Sequence, residues 1–220
     1  MAVTLISPTF EAEYNLKTGG DWNSNFKSKT VERLNRAKFD INWMNKKTNT
    51  AFALFFDLVA KGDIQRCLEF IRKNASYSDE LLSCVDQNQK SPTHIAAKNG
   101  HYNLMTTLIE KGFSIFVRDK FLRAPLHLAA QFGHATVADL LIKSKSDIYS
   151  KDSCGRNVLH YACCSNSIEL ITLLVGQEPE LVFTTDNYLR SPLHYVVWNT
   201  NPNQLEIAKK LLDAKGILLN

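Results

Sequence analysis

Histidine and cysteine are the side chains of this sequence with the widest range of chemistry, and there are six and five of them. His160 and Cys164 lie four residues apart, a spacing that on a helix places an imidazole beside a thiol, as in a cysteine nucleophile with its base. The sequence offers no third group to orient the imidazole, and a site of this kind needs the full set of residues. We therefore predict no catalytic residue and no enzymatic activity.

Metal and nucleotide sites have equally little support. No two cysteines are separated by the two to four residues that are typical of zinc ligands. The sequence also lacks the glycine-rich phosphate loop, the dinucleotide-binding glycine pattern and the His-Glu-x-x-His helix of metalloproteases. We predict neither a metal ion nor a cofactor.

Composition indicates a folded chain in a reducing compartment. Hydrophobic residues make up 45% and charged residues 22% of the 220 residues. The net charge of +4 is dispersed and too small to indicate binding to nucleic acid. We find no transmembrane segment and no signal peptide in the sequence. Five cysteines without a Cys-x-x-Cys pair favour free thiols, so we predict a cytoplasmic protein. The compartment is a host cytosol if the protein is secreted into one. We also predict that the protein is a monomer.

The sequence repeats itself with a period of 33 to 34 residues. Four histidines recur at this spacing, each eight residues after an aspartate, and the residues around them match. The aspartates are Asp86, Asp119, Asp152 and Asp186, and the histidines are His94, His127, His160 and His194. Ser91-Pro92-Thr93-His94 and Ser191-Pro192-Leu193-His194 show how closely distant copies agree. A regular period of this length predicts a repeat protein.

These copies resemble the ankyrin repeat, whose signature is Thr-Pro-Leu-His-x-Ala. The resemblance implies an all-α solenoid in which each repeat has two antiparallel helices and a protruding β-hairpin loop. It covers residues 49–220, with a degenerate repeat at about 49–85 and repeats that start near 86, 119, 152 and 186. Residues 1–48 are predicted to form a non-repeat N-terminal cap or extension, and a separate peptide motif is the alternative.

The residues within each repeat suit this arrangement. Pro92, Pro125 and Pro192 stand where a first helical turn begins, and Ser91 is a suitable N-cap. Gly100 and Gly133 mark the turn between the helices, and Asn166 takes that place in the next repeat, since asparagine also tolerates a positive φ. The resemblance implies that the recurring histidines are structural and bind backbone groups of neighbouring loops.

A concave surface of loop tips and first helices is where such arrays bind their partners. The family usually places glycine third after the aspartate, but only Gly155 keeps it; Gln89, Leu122 and Leu189 stand there in the other repeats, and the two leucines are predicted to have positive φ. Apolar residues, together with a recurring arginine, mark the predicted partner-binding site. These residues are Phe121, Leu122, Arg123, Phe132, Arg156, Tyr188, Leu189, Arg190 and Trp198. Two alternatives remain open: the apolar tip residues pack on adjacent hairpins, or the arginines stabilise the loops instead of meeting a partner's carboxylates.

The resemblance implies that the chain is a protein-interaction module and scaffold. Its lysine- and asparagine-rich composition is similar to that of ankyrin proteins of intracellular bacteria, which implies a secreted effector in host–pathogen interaction. One alternative is the substrate-recruiting part of a larger enzyme, because the last repeat has no polar capping helix and suggests a piece of a longer protein. Another is a binder of anions or lipid headgroups that uses basic residues of the N-terminal segment.

Overall fold

The computed structural model describes residues 46–75, 78–165, 167–198 and 203–217. The cap predicted for residues 1–48, with its basic residues, therefore lies outside the described residues apart from the start of the first helix. Asn166 also lies outside them. Residues 50–220 form one compact unit.

The described residues are helical, and the helices follow one another in pairs. Helices α1 and α2 belong to the degenerate repeat, and a short helix, α3, follows them. Each later repeat has a first and a second helix, and a 3-10 helix over Pro179–Phe183 leads into the last repeat. The bounds are α1 Lys46–Lys61, α2 Ile64–Lys73, α3 Ser78–Leu82, α4 Pro92–Lys98, α5 Tyr102–Glu110, α6 Pro125–Gln131, α7 Ala135–Lys143, α8 Val158–Ala162, α9 Ile168–Gln177, α10 Pro192–Trp198 and α11 Gln204–Ile217. None of these helices is both long and apolar enough to cross a bilayer.

First and second helices form two layers. The first helices α4, α6, α8 and α10 pack side by side in chain order, and so do the second helices α5, α7, α9 and α11. Alanines in the first helices make this close approach possible, and Ala96, Ala97, Ala129 and Ala130 are fully buried. The sequence therefore encodes two rows of helices around one continuous apolar core.

The starts of the first helices follow the predicted pattern. Pro92 occupies the first turn of α4, where its missing N–H costs no hydrogen bond. The Ser91 side chain caps this helix by accepting a hydrogen bond from the backbone N–H of His94. Pro125 and Pro192 likewise occupy the first turn of α6 and of α10.

The turns between paired helices require glycine for two reasons. Gly100 has φ 71°, and a Cβ at this position would lie 2.5 Å from Nδ1 of His134 in the next repeat. Nε2 of His134 hydrogen-bonds the carbonyl of Lys98 at 2.9 Å, so this imidazole joins two repeats. The same arrangement recurs one repeat earlier among Gly62, His101 and Ala60. This second set of histidines, His101 and His134, lies outside the signature and was not predicted from the sequence.

The protruding loops are tight turns, and the structure assigns no strand to the described residues. The predicted β-hairpins are therefore not confirmed. We call the loop ends tip 1 (86–90), tip 2 (119–123), tip 3 (152–156) and tip 4 (186–190). Each tip is closed by a backbone hydrogen bond of about 3 Å from the N–H of its first residue to the carbonyl of its last. The same closing bond therefore recurs in all four repeats.

Candidate functional site

An aspartate at the start of each tip organises the turn. In tip 2, Oδ1 of Asp119 accepts hydrogen bonds from the backbone N–H groups of Phe121 and Arg123 at 2.9 and 3.0 Å. Oδ2 accepts from Nε and Nη2 of Arg123 at 2.9 and 2.7 Å. Burial raises the pKa of Asp119, but the hydrogen bonds from Arg123 and Phe121 outweigh it and leave the pKa below its usual value. The carboxylate is thus charged and fully engaged within its own tip.

Tips 3 and 4 add a tyrosine to this arrangement. The hydroxyl of Tyr161 donates to Oδ2 of Asp152 at 2.7 Å, and that of Tyr195 donates to Oδ2 of Asp186 at 2.6 Å. Burial, followed by the hydrogen bond to Asp186, raises the pKa of Tyr195 to about 12. Sequence reasoning missed both tyrosines, although each follows its tip aspartate by nine residues. Tip 2 has Leu128 in this place.

The recurring arginines serve the tips. The Nη2 atoms of Arg123, Arg156 and Arg190 lie 2.6 to 2.7 Å from the aspartate of the same tip. Only 13% of the Arg123 side chain is exposed. Of the two roles left open by the sequence, loop stabilisation is the one that the geometry supplies, because the guanidinium donors already have an acceptor.

Histidines beneath the tips link each repeat to the next. Nδ1 of His94 accepts from the backbone N–H of Ser91 at 3.2 Å, so Nε2 carries the proton and donates to the carbonyl of Arg123 at 2.8 Å. Burial lowers the pKa of His94 to about 4, and that of His127 likewise to about 4. His127 and His160 reach the carbonyls of Ser150 and Arg190 in the same way. These histidines are neutral structural clamps.

The pairing of His160 with a cysteine nucleophile finds no support in this geometry. Nδ1 of His160 hydrogen-bonds the side chain of Asn157 at 2.7 Å, and Nε2 hydrogen-bonds the Arg190 carbonyl at 3.0 Å. Burial raises the pKa of the thiols of Cys163 and Cys164, which disfavours the thiolate. Among the described residues, no group of three or more histidine, cysteine or acidic side chains could hold a metal ion.

The two tip leucines adopt the left-handed conformation that their position predicts. Leu122 has φ 60° and Leu189 has φ 59°, so this prediction is confirmed. Gly155 occupies the same place in tip 3 with φ 77°. A leucine in this region costs about 1 kcal/mol or more, because its Cβ crowds the following carbonyl. Leu189 is 80% exposed, so little burial offsets that cost, whereas Leu122 is 51% exposed and thus half buried.

Tip 2 and the adjoining helix end carry two phenylalanines, each with a cation over its ring. Nζ of Lys120 and the guanidinium of Arg123 both lie 5.0 Å from the ring centroid of Phe121. Nζ of Lys98 lies 5.5 Å from the centroid of Phe132, which belongs to the next repeat. Both rings are 46% exposed. The cations hold the rings in place and keep apolar ring surface open to solvent.

Arg190 of tip 4 lies beside two other predicted site residues. Its guanidinium lies 4.6 Å from the ring centroid of Tyr188 and 5.4 Å from that of Trp198. Tyr188 is 69% and Trp198 is 62% exposed. Arg156, in tip 3, lies over the ring of Tyr161, which is buried, so tip 3 presents no exposed aromatic ring.

Backbone hydrogen bonds hold the tips in one row. They run from Lys120 N–H to the Asn88 carbonyl, from Ser153 N–H to the Phe121 carbonyl and from Asn187 N–H to the Cys154 carbonyl, at 2.9 to 3.1 Å. We call the four tips, together with the first-helix end residues 98, 131–132, 164–165 and 198, the tip surface. The contact of Nη1 of Arg123 with Oε1 of Gln131, at 3.2 Å, joins a tip to a helix end. Eight of the nine predicted site residues, all but Arg156, contribute to its apolar and cationic clusters or to its exposed leucines.

A family model described as Ankyrin repeats (3 copies) matches residues 23–152 and 126–220 of the chain. The chain belongs to the ankyrin-repeat family. Ankyrin repeats generally mediate protein–protein interaction, so the tip surface is a candidate binding surface for a protein. The first ankyrin match begins at residue 23, within the segment predicted to be a non-repeat cap. No curated protein matches the chain closely enough to count as a relative.

Proposed function

We propose that this ankyrin array binds a partner protein through the tip surface, which the family resemblance predicts to be concave. The proposed contacts are the exposed rings of Phe121, Phe132, Tyr188 and Trp198 and the two tip leucines. Rigid aromatic side chains contribute much of the energy at protein interfaces because they bury a large area at a small entropic cost. The paired arginines frame these rings and orient them.

The strained, exposed leucines carry this proposal. Leu122 and Leu189 occupy a backbone conformation that favours glycine, and Gly155 shows that this fold accepts glycine there. Leu189 gains little burial within the chain to offset its backbone cost, and Leu122 is only half buried. Apolar contact with another molecule would supply the missing burial.

The predicted location and origin follow from composition alone. Delivery into a host cytosol as a bacterial effector stays a prediction, as does the alternative of a recruiting domain attached to an enzyme. For the function proposed here, these settings matter only through the identity of the partner. The same surface would serve in each.

A capture experiment tests the surface with variants that keep the fold. The tagged chain and a Leu122→Gly/Leu189→Gly variant would be used to capture proteins from eukaryotic cell lysate, with mass spectrometry as the readout. Because glycine relieves positive-φ strain, we expect the variant to be at least as stable as the original chain. Loss of a captured protein would then reflect lost contact and not lost folding.

A matched control removes exposed apolar groups from the second-helix layer. Tyr102 on α5 is 46% exposed and Leu212 on α11 is 52% exposed, close to the values for Phe121 and Leu122. We expect Tyr102→Ala/Leu212→Ala to retain every protein that the unmodified chain captures. Equal capture by the glycine variant and the unmodified chain would contradict the proposed surface.

A further inference from the structure

Two lysines of the tip surface, Lys98 and Lys120, have no carboxylate partner among the described residues, in contrast to three lysines of other helices that form ion pairs within their own helix. Lys61, Lys73 and Lys143 each lie 2.6 to 2.7 Å from an acidic side chain one helical turn away. In the described part of the chain, no carboxylate lies within 4.0 Å of Nζ of Lys98 or Lys120. Both lysines are exposed. Nζ of Lys120 donates a hydrogen bond to Oδ1 of Asn88, which is neutral and leaves the positive charge uncompensated. Both ammonium groups can therefore still pair with a carboxylate of another molecule.

The acidic groups of the tips do not oppose such a partner. Asp119, Asp152 and Asp186 are at most 5% exposed, and each is paired with the arginine of its own tip. Each of these three ion pairs has no net charge, so none of them repels an acidic ligand. Lys90, Lys98 and Lys120, set against the one aspartate without an arginine, Asp86, leave a small positive charge on the surface.

The two lysines lie beside two phenylalanine rings that Arg123 connects to each other through Gln131. Lys120 lies over Phe121, and Arg123 joins Phe121 to Gln131 at the end of α6. The next residue, Phe132, has Lys98 over its ring. One ammonium group therefore lies next to each of the two half-exposed phenylalanines. Acidic groups of a ligand would be recognised here beside apolar groups of the same ligand.

We propose that this patch binds an acidic segment of the partner protein, with carboxylates of the segment on Lys98 and Lys120 and an apolar side chain against Phe121 and Phe132. The proposal rests on the function proposed above and specifies the chemistry of the partner. The small positive charge favours a peptide over nucleic acid, because nucleic-acid binding surfaces commonly neutralise about six to ten phosphates. The arginines do not add to it, since their aspartates neutralise them.

Selection from a displayed library of random linear peptides tests this chemistry with the full chain as bait. We expect enriched peptides to carry net negative charge and an apolar residue close to an acidic one. Their affinity for Lys98→Glu/Lys120→Glu should fall about tenfold or more, which is about 1.4 kcal/mol or more for the two reversed contacts together. Their affinity for the unmodified chain should also fall as salt is raised, because ions screen exposed charges.

A control with the same change of charge separates local contact from the general field of the protein. Lys111 and Lys209 are exposed lysines that follow or belong to the second helices. Lys111→Glu/Lys209→Glu should retain peptide affinity within about twofold, since these positions lie away from the tips. An equal loss in both variants would overturn the proposal. Circular dichroism would confirm that each variant remains folded.

The remaining outcomes distinguish this proposal from the proposed function. Enriched peptides that are neutral or basic, yet lose affinity for Phe121→Ala, would overturn the acidic segment and support the binding surface. Peptides that bind equally to the unmodified chain and to the Phe121→Ala and Leu122→Gly/Leu189→Gly variants would contradict both. A library that yields no enriched peptide would overturn the proposal that an acidic segment binds here. So would a single-stranded oligonucleotide that binds and is lost with Lys98→Glu/Lys120→Glu.

Discussion

Tip 3 differs from tips 2 and 4 although all three follow the same backbone path. Tip 3 carries Ser153, Cys154 and Gly155, whereas tips 2 and 4 carry an aromatic residue followed by leucine. The side of each tip that faces the helices is the same, with an aspartate paired to an arginine. The shared aspartate and arginine close the turn in all three tips. The fold therefore does not require the exposed aromatic residue and leucine that only tips 2 and 4 carry. This is why we assign the aromatic and leucine residues of tips 2 and 4 to binding.

The largest expected effect comes from the histidines beneath the tips. The pKa values of His94 and His127 are about 4 in the folded chain and near 6.5 when unfolded, so the unfolded chain binds more protons between these values. Stability is therefore full above pH 6.5 and is lost as pH falls toward 4. We expect a loss of about 2 to 3 kcal/mol for each of the two by pH 4.5, measured by urea unfolding.

A matched variant assigns this loss to the clamps. His127→Asn will be less stable at pH 7, but its free energy of unfolding should depend less on pH between 7 and 4.5. The tip aspartates have lowered pKa values, so the stability that they contribute is lost only as the pH falls below their unfolded pKa near 3.9. A free energy of unfolding that is constant from pH 7 to 5 would show that the clamps are not what the geometry indicates.

Removing the arginine of tip 2 should cost more than removing that of tip 3. Arg123→Met leaves the buried carboxylate of Asp119 with backbone donors alone, at a cost of about 3 kcal/mol. In Arg156→Met, the hydroxyl of Tyr161 still donates to Asp152, so the loss should be smaller. Urea unfolding measures both losses, and with equal m-values the midpoint should be lower for Arg123→Met than for Arg156→Met. Equal losses would mean that the tyrosine contributes nothing to the tip.

Making tip 3 resemble its neighbours should destabilise the chain. In Gly155→Leu, the new Cβ would lie 2.8 Å from the backbone nitrogen of Asn187 and meet its side chain as well. Strain at positive φ and this overlap together should cost about 2 kcal/mol or more in thermal or urea unfolding. Gly155→Ala should cost nearly as much, because both effects arise at the Cβ. If Gly155→Leu unfolds like the original chain, tip 3 is not restricted to glycine and the comparison of the tips loses its force.

The reverse exchange in tip 4 should stabilise the chain slightly. Leu189→Gly relieves strain at φ 59° and gives up a side chain that is already 80% exposed. We expect a gain of about 1 kcal/mol, with a melting temperature higher by about 2 to 4 °C in calorimetry. Leu212→Gly, on the exposed face of helix α11, should shift the melting temperature the opposite way, since glycine weakens helix interiors. A lower melting temperature for Leu189→Gly would mean that this leucine serves the fold.

The repeat pattern and the family resemblance predicted the helices, the tips and the histidine links between repeats, but not the contacts made by residues outside the signature. The period located the helices, and the usual glycine of the tip predicted the positive φ of Leu122 and Leu189. The contact of Lys98 with Phe132 joins neighbouring repeats, so it follows from how the first helices stack, which no local pattern states. Tyr161 and Tyr195 were within reach, because each stands nine residues after a paired aspartate.

The hydrogen bonds that clamp one repeat to the next also bear on how the chain folds. Among the described residues, five histidines make such bonds through Nε2, and these bonds join residues 23 to 41 positions apart. Because loop closure becomes costlier as the enclosed loop grows, each junction forms at nearly the same entropic cost wherever it lies in the array. Folding can thus start at whichever repeat is locally most stable and spread outward one repeat at a time.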